Sequence, residues 1–214
     1  MPDAAPLTDE LLRRAAAGNG AAWGALLSAH EDRLVRSVSF RMDSRLRGRI
    51  DAGDVVQEAF LEASAHRADY FRDPALPLFL WLRRLVGNKL LELHRHHLGT
   101  HMRNAARDVA LQGAATPHAT SAALIDQLTG HATRPSGAAM RGEQKAQLHA
   151  ALDAIDPIDR EVLALRHFEQ LTNGEAARVL GIQERAAAKR YLRALKRLKT
   201  ILTGMPGGLT GLRP

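Results

Sequence analysis

Residues 171–199 read LTNGEAARVLGIQERAAAKRYLRALKRLK, and the order of caps and breaks in this stretch decides the local fold. Thr172 is followed three residues later by Glu175. That spacing is a capping box, in which the threonine hydroxyl takes the amide three residues on and the glutamate reaches back to the threonine amide. A helix therefore begins at Asn173. Ala176 and Ala177 let another helix approach closely. Gly181 stands where a left-handed residue ends a helix, and Ile182 beyond it fits the angle between two helices. The pattern is a helix-turn-helix.

Along the second helix each residue advances about 100°. Arg185, Lys189, Arg193, Lys196 and Arg197 fall on one half, with Arg190 at its border, while Ala187, Tyr191, Ala194, Leu195 and Leu198 fall on the other. One half packs, and the other meets solvent or phosphate. In a recognition helix the N-terminal residues reach base edges and later charges hold the backbone. Gln183, Glu184 and Arg185 are accordingly the base readers, with the remaining basic residues on phosphates. The competing interpretation is a solvated basic face on an ordinary surface helix.

Composition points the same way. Thirty Lys and Arg against 23 Asp and Glu give a formal charge of +7 over 214 residues, a physical reason to expect a polyanionic partner. Without cysteine, disulfides and thiolate metal sites are excluded, and a reducing cytoplasm is compatible. The start, MPDAAPLTDELLRR, lacks the basic beginning and apolar core of a signal peptide. LPLFLWL at 76–82 is stopped by Arg83 and Arg84, far short of the roughly 20 residues that span a bilayer. No membrane insertion is expected.

Apolar residues recur at helical spacing elsewhere, as at Trp23, Leu26, Leu27, Leu34 and Val38, and strand signals are nearly absent, so the fold class is all-α. Thr8 predicts a cap for a short helix from Asp9, GNG at 18–20 a break, and 21–45 a longer helix. Asp51 caps the next helix, with Asp54 in its first turn suiting the helix dipole. Another helix starts near Leu78. From 98 to 140 the chain turns to Ala, Thr, Gly, Ser and Pro, which predicts a flexible linker, with AALIDQL as a short helical turn inside it. Amphipathic order returns at Leu148, Leu152 and Ile155, and Asp156 followed by Pro157 opens a further helix. The expected organisation is two small helical domains, 7–97 and 141–203, joined by a linker over 98–140 and followed by a disordered tail over 204–214.

The segment LDAIDPIDREVLALRHFEQLTNGEAARVLGIQERAAAKRYLRALKRLKTIL, residues 152–202, resembles the C-terminal promoter-binding domain of sigma factors of the sigma-70 family, in the extracytoplasmic-function branch. The matching features are the REVLALR helix, the Glu175-Ala176-Ala177 start, the Leu180-Gly181-Ile182 turn, and Arg190, Arg193 and Ala194. Gly174 and the run Ala186 to Ala188 depart from the usual residues, which bears on promoter preference. The resemblance implies that Gln183, Glu184, Arg185, Lys189, Arg190, Arg193, Lys196 and Arg197 bind the minus-thirty-five element.

The N-terminal half carries a second resemblance. Asp54, Gln57, Glu58 and Leu61 share one side of a helix by their spacing, and DAGDVVQEAFLEA is similar to the family's core-polymerase-binding helix, which faces the β′ clamp helices. The bland alternative for Asp54 and Glu58 is compensation of the helix dipole. FLWLRRLVGNKLLELHRHH looks like the part that opens and reads the minus-ten element, implying Arg83, Arg84, Asn88, Lys89 and Arg95 as its DNA contacts. Trp81 and Phe79 are tempting stacking platforms, but their spacing with Leu82, Leu85 and Val86 places them in the core.

The family further implies a β flap contact through REVLALRHF and, for many members, an inhibitory anti-sigma protein. His94, His97 and His101 share a helical face only if the helix passes Gly99, and no HExxH motif accompanies them. A metal, a cofactor and an enzymatic activity are therefore not expected. The functional expectation is a cytoplasmic sigma factor. The rivals are a free-standing helix-turn-helix regulator and a histidine-dependent metalloenzyme built around HRHHLGTH.

Overall fold

A computed structural model describes residues 4–98, 119, 121–128 and 142–204. Every regular element among the described residues is a helix, and the helices fall into two compact units. The first unit holds α1 (Ala4–Ala16), α2 (Gly20–Arg41), α3 (Ala52–Ala65), α4 (Arg67–Arg72) and α5 (Leu78–Leu98). The second holds α6 (Ser121–Leu128), α7 (Gly142–Asp153), α8 (Pro157–Leu163), α9 (Asn173–Leu180) and α10 (Glu184–Thr203).

In the first unit, helix α1 begins earlier than a Thr8 cap predicts. Pro6 falls in its first turn, where a missing amide costs nothing. Gly18, at φ 94°, turns the chain, and the Asn19 side chain caps α2 by accepting from the Ala22 amide at 2.8 Å. Helix α2 stops at Arg41, short of the expected 45, because the backbone becomes extended at Met42. There the Asp43 carboxylate captures both the amide and the guanidinium of Arg45. Asp51 starts α3 as predicted, accepting from the Gly53 amide at 2.6 Å.

Helix α5 is the central element of this unit and packs on α2 and α3. Leu78 through Arg83, Leu85, Val86 and Leu90 are all buried, so over its first turns the helix has apolar neighbours almost all round. Each large side chain buried in this way contributes about 1.5–3 kcal/mol. An aromatic group fixes the start of the helix, where Trp81 lies 4.6 Å from the Tyr70 ring and 6.4 Å from Trp23. Trp23 donates its indole N–H to Ser64 Oγ at 2.9 Å. Phe79 and Trp81 are core residues, as their spacing indicated.

The second unit contains a segment that composition had assigned to the linker. Helix α6 packs on α7, with Leu124 and Ile125 fully buried. The Ala119 amide donates to Glu161 Oε2 at 2.8 Å, and Ser121 Oγ donates to Asp153 at 2.5 Å. Arg160 closes the group through Ser121 and Asp153. Two large apolar side chains and a small polar network are enough to dock a short helix on a surface that α7 and α8 already provide. The remainder of the expected linker, and the tail beyond 204, lie outside the described residues.

Asp156 caps α8 by accepting from the Ile158 and Asp159 amides, with Pro157 in the first turn. The helix then widens into a π-helical turn over Ala164–Phe168, and Gln170 follows at φ 57°. The capping box of α9 is complete: the Glu175 amide donates to Thr172 Oγ1 at 3.1 Å, and the Thr172 amide donates to Glu175 Oε2 at 2.7 Å. Gly181 is left-handed, at φ 63° and ψ 30°, and the Ile182 amide returns to the Ala177 carbonyl at 3.0 Å. Those bonds set the turn that aims α10.

Candidate nucleic-acid and partner interfaces

Helix α10 buries Ala187, Ala194, Leu198 and Leu202 against the rest of the second unit. Its outward side carries Arg185, Lys189, Leu192, Lys196 and Arg197. The four basic residues of that set have no ion-pair partner among the described residues. Gln183 stands at the N-cap, exposed and without a side-chain capping bond, and Glu184 next to it is also exposed. The helix start and the free cations thus lie on the solvent side, the arrangement that a major-groove helix requires.

Arg190 and Arg193 behave differently from the other basic residues. Both converge on Asp159 of α8, whose side chain is only 5% exposed. Arg190 Nη1 donates at 2.7 Å, and Arg193 donates through Nη2 at 2.7 Å and also through Nε. Burial pushes the Asp159 carboxyl up, but the Arg193 and Arg190 hydrogen bonds outweigh it and hold the group below its ordinary range. These arginines therefore brace α10 against α8. Arg193, with 61% of its side chain exposed, still presents part of its guanidinium to solvent. The sequence identified the two arginines but not their carboxylate.

In the first unit the acidic face of α3 is open. Asp54, Gln57 and Glu58 are exposed, and Leu61 is 74% exposed, while Val55, Val56, Ala59 and Phe60 on the opposite side are buried. Gln57 Nε2 donates to Glu31 of α2 at 2.9 Å, extending the polar face onto that helix. An isolated leucine standing out among carboxylates and amides suits a protein partner better than DNA.

The five residues expected on α5 are not equivalent. Arg84, Asn88 and Arg95 are exposed. Lys89 is half-buried and bridges Glu62 at 3.5 Å and Glu92 at 3.7 Å. Arg83 is buried, only 4% exposed. Adjacent positions on a helix lie about 100° apart, and here that step carries the chain from the packed side of α5 at Arg83 to its solvent side at Arg84.

His94 is also buried, and its Nε2 accepts the Asp43 amide at 3.3 Å. Burial lowers its pKa, with the Asp43 carboxylate opposing that shift and Arg45 adding to it. His97 is exposed on the surface and His101 lies outside the described residues. No group of three or more histidine or carboxylate side chains among the described residues is placed to hold a metal ion.

The second unit thus presents a helix-turn-helix with an exposed basic stripe, and the first is a separate helical unit with an acidic, leucine-bearing face. Residues 145–198 match the family model described as "Sigma-70, region 4". The chain is 29% identical over 199 residues to RNA polymerase sigma factor NccH of Alcaligenes xylosoxydans xylosoxydans, covering 92% of this chain and 96% of the relative. It is 24% identical over 193 residues to ECF RNA polymerase sigma factor BldN of Streptomyces coelicolor, covering 90% of this chain and 65% of the relative. A solved structure of CnrH in complex with the cytosolic domain of CnrY is similar with a TM-score of 0.51 and 26% identity, covering 92% of this chain and 97% of that one.

The chain belongs to the sigma-70 family of RNA polymerase sigma factors, in its extracytoplasmic-function branch. Its function is the family's: binding RNA polymerase and directing promoter recognition at initiation.

Proposed function

We propose that the two units divide promoter recognition. The first, over 7–97, docks on the β′ clamp helices through Asp54, Gln57, Glu58 and Leu61, and holds the minus-ten element with Arg84, Asn88 and Arg95. Arg83 and Lys89 support that surface from within and from its edge. The second, over 141–203 together with Ala119 and 121–128, reads the minus-thirty-five element through Gln183, Glu184 and Arg185 at the start of α10. Lys189, Lys196 and Arg197 hold phosphates, and Arg193 adds the exposed part of its guanidinium.

The β flap contact falls to His167 and Phe168, because Val162 to Leu165 are committed to the core. The likeness to CnrH, whose solved complex holds the cytosolic domain of CnrY, supports an inhibitory anti-sigma protein as a further partner. No described helix is long and apolar enough to cross a membrane, and the site of action is the cytoplasm, with the polymerase. No catalytic role is assigned.

The observation that carries this reading is Leu61, exposed among Asp54, Gln57 and Glu58 on the side of α3 opposite its packed face. The tagged full chain should retrieve core polymerase from a purified preparation without DNA, and the reconstituted enzyme should initiate run-off transcription from a genomic promoter library. A chain that bound DNA but left core polymerase in solution would instead be a free-standing regulator.

A further inference from the structure

The connection between α2 and α3, MDSRLRGRI at 42–50, sets three arginines against one aspartate, and its backbone is firmly built. The Leu46 amide returns to the Asp43 carbonyl at 2.9 Å, and the Arg49 and Ile50 amides return to the Leu46 carbonyl at 2.9 and 3.0 Å. Met42 and Leu46 are buried as anchors. Arg45 and Arg49 point outward and Arg47 is half-exposed, so residues 45, 47 and 49 carry charge on a backbone held from beneath.

Two contacts fix the loop further. His94 of α5 accepts the Asp43 amide at 3.3 Å, which ties the loop to the part of α5 that also carries Arg95. Asp43 in turn grips Arg45 in a fork, with Oδ1 taking Nε at 3.0 Å and Oδ2 taking Nη2 at 2.9 Å. Arg45 is thereby oriented with its remaining N–H groups free, and Arg49 has no ion-pair partner among the described residues.

We propose that this loop is a second DNA-binding surface of the first unit, in which Arg45, Arg47 and Arg49 take phosphates of duplex DNA flanking the segment that α5 contacts. Residues 42–50 contain no aromatic side chain, so the loop lacks the stacking platform on which unpaired bases rest. Of its apolar residues Met42 and Leu46 are inside and Ile50 is half-buried, so it also lacks the fully exposed anchor that a protein interface is built around. The α3 face, with Leu61 exposed among carboxylates, has the opposite character. Guanidinium groups on a rigid backbone match phosphate oxygens in both charge and geometry. The loop's assignment rests on the reading of the first unit as DNA-binding.

The test uses the full chain and a fluorescein-labelled duplex of mixed sequence, with anisotropy followed across a salt series. The Arg45→Ala/Arg49→Ala variant is compared with Arg13→Ala/Arg14→Ala, which removes the same charge from α1. Losing two phosphate contacts should make the slope of log K against log salt shallower by about 1.8, so that raising salt from about 50 to about 200 mM costs the variant roughly twelvefold less affinity than it costs the parent. The α1 variant should keep the parental slope, and circular dichroism should show both variants folded.

Equal slopes for the two variants would reduce the loop to bulk charge and overturn the proposal. So would an effect confined to single-stranded probe, or a loss of core polymerase binding with unchanged DNA affinity. Retrieval of core by the unaltered chain is scored separately. Its failure would sink the sigma-factor reading while leaving the salt slopes to report on the loop.

Discussion

Replacing Asp159 by Asn should loosen the join between α8 and α10. The carboxylate receives three charge-assisted hydrogen bonds, one from Arg190 and two from Arg193, from a position that is almost fully buried. Breaking one partner out of a buried ion pair costs about 3–5 kcal/mol. That figure needs a discount, because Arg193 is 61% exposed and Arg190 28%; both recover hydration once released, which leaves about 2 kcal/mol. For a domain of this size the corresponding fall in Tm is roughly 8–16 °C.

Calorimetry of the full chain should show this fall in one transition, assigned to the second unit, with the other unchanged. The pH dependence has a definite sign. The folded-state pKa of Asp159 lies below its ordinary value, so its contribution is present above the unfolded carboxylate range and lost as pH falls through the folded value. Asn removes that contribution at neutral pH and flattens the acid side of the curve. In a double-mutant cycle, Arg193→Ala should be coupled to Asp159→Asn, the double variant losing less than the two single variants together. A fall in Tm under about 3 °C, or strict additivity, would refute the bracing role.

Three further outcomes follow from particular contacts. Leu124→Ala should cost about 2–5 kcal/mol and lower only the second unit's transition, because Leu124 is fully buried there; an unchanged melt would return α6 to the linker. Gln170→Gly should raise stability by up to about 1 kcal/mol, since Gln170 sits at φ 57° where a side chain is strained, and a loss on substitution would show that the side chain contributes more than its strain costs. Because His94 has its folded pKa lowered chiefly by burial, the unfolded chain binds the proton more readily. The first unit should then lose stability as pH falls through the unfolded imidazole range, until the folded pKa is reached. His94→Gln should flatten that slope between about pH 7 and 5, and identical slopes would mean another group sets it.

Local signals carried much of the fold. The Thr172–Glu175 box, Gly181, and the Asp51 and Asp156 caps each depend on residues within one turn, where sequence spacing and spatial contact are nearly the same thing. The open side of α3 was legible for the same reason. Contacts between distant helices were not. Periodicity grouped Arg190 and Arg193 on a face of α10, but nothing in it names Asp159, more than 30 positions earlier; the available hint was an aspartate three residues before Val162, in register with the packed side of α8. Arg83 is buried because α5 is enclosed by its neighbours, which depends on where α2 and α3 lie. Helix α6 was obscured by the small and polar residues around it. Its Leu124-Ile125 pair is too short a signal until α7 supplies a surface.

The α3 face is proposed to meet polymerase and not DNA. The direct measurement is competition for purified core polymerase by the Asp54→Lys/Glu58→Lys variant, against a labelled parental chain. Charge reversal removes complementarity and adds repulsion at a protein interface, whereas loss of dipole compensation at Asp54, the acidic residue in the first turn of α3, costs only about 0.3–1 kcal/mol. Circular dichroism melts separate the two effects. The expected result is a folded variant that no longer displaces the parent from core polymerase, while its C-terminal helix-turn-helix retains parental DNA binding. A folded variant that competes as well as the parent would contradict it.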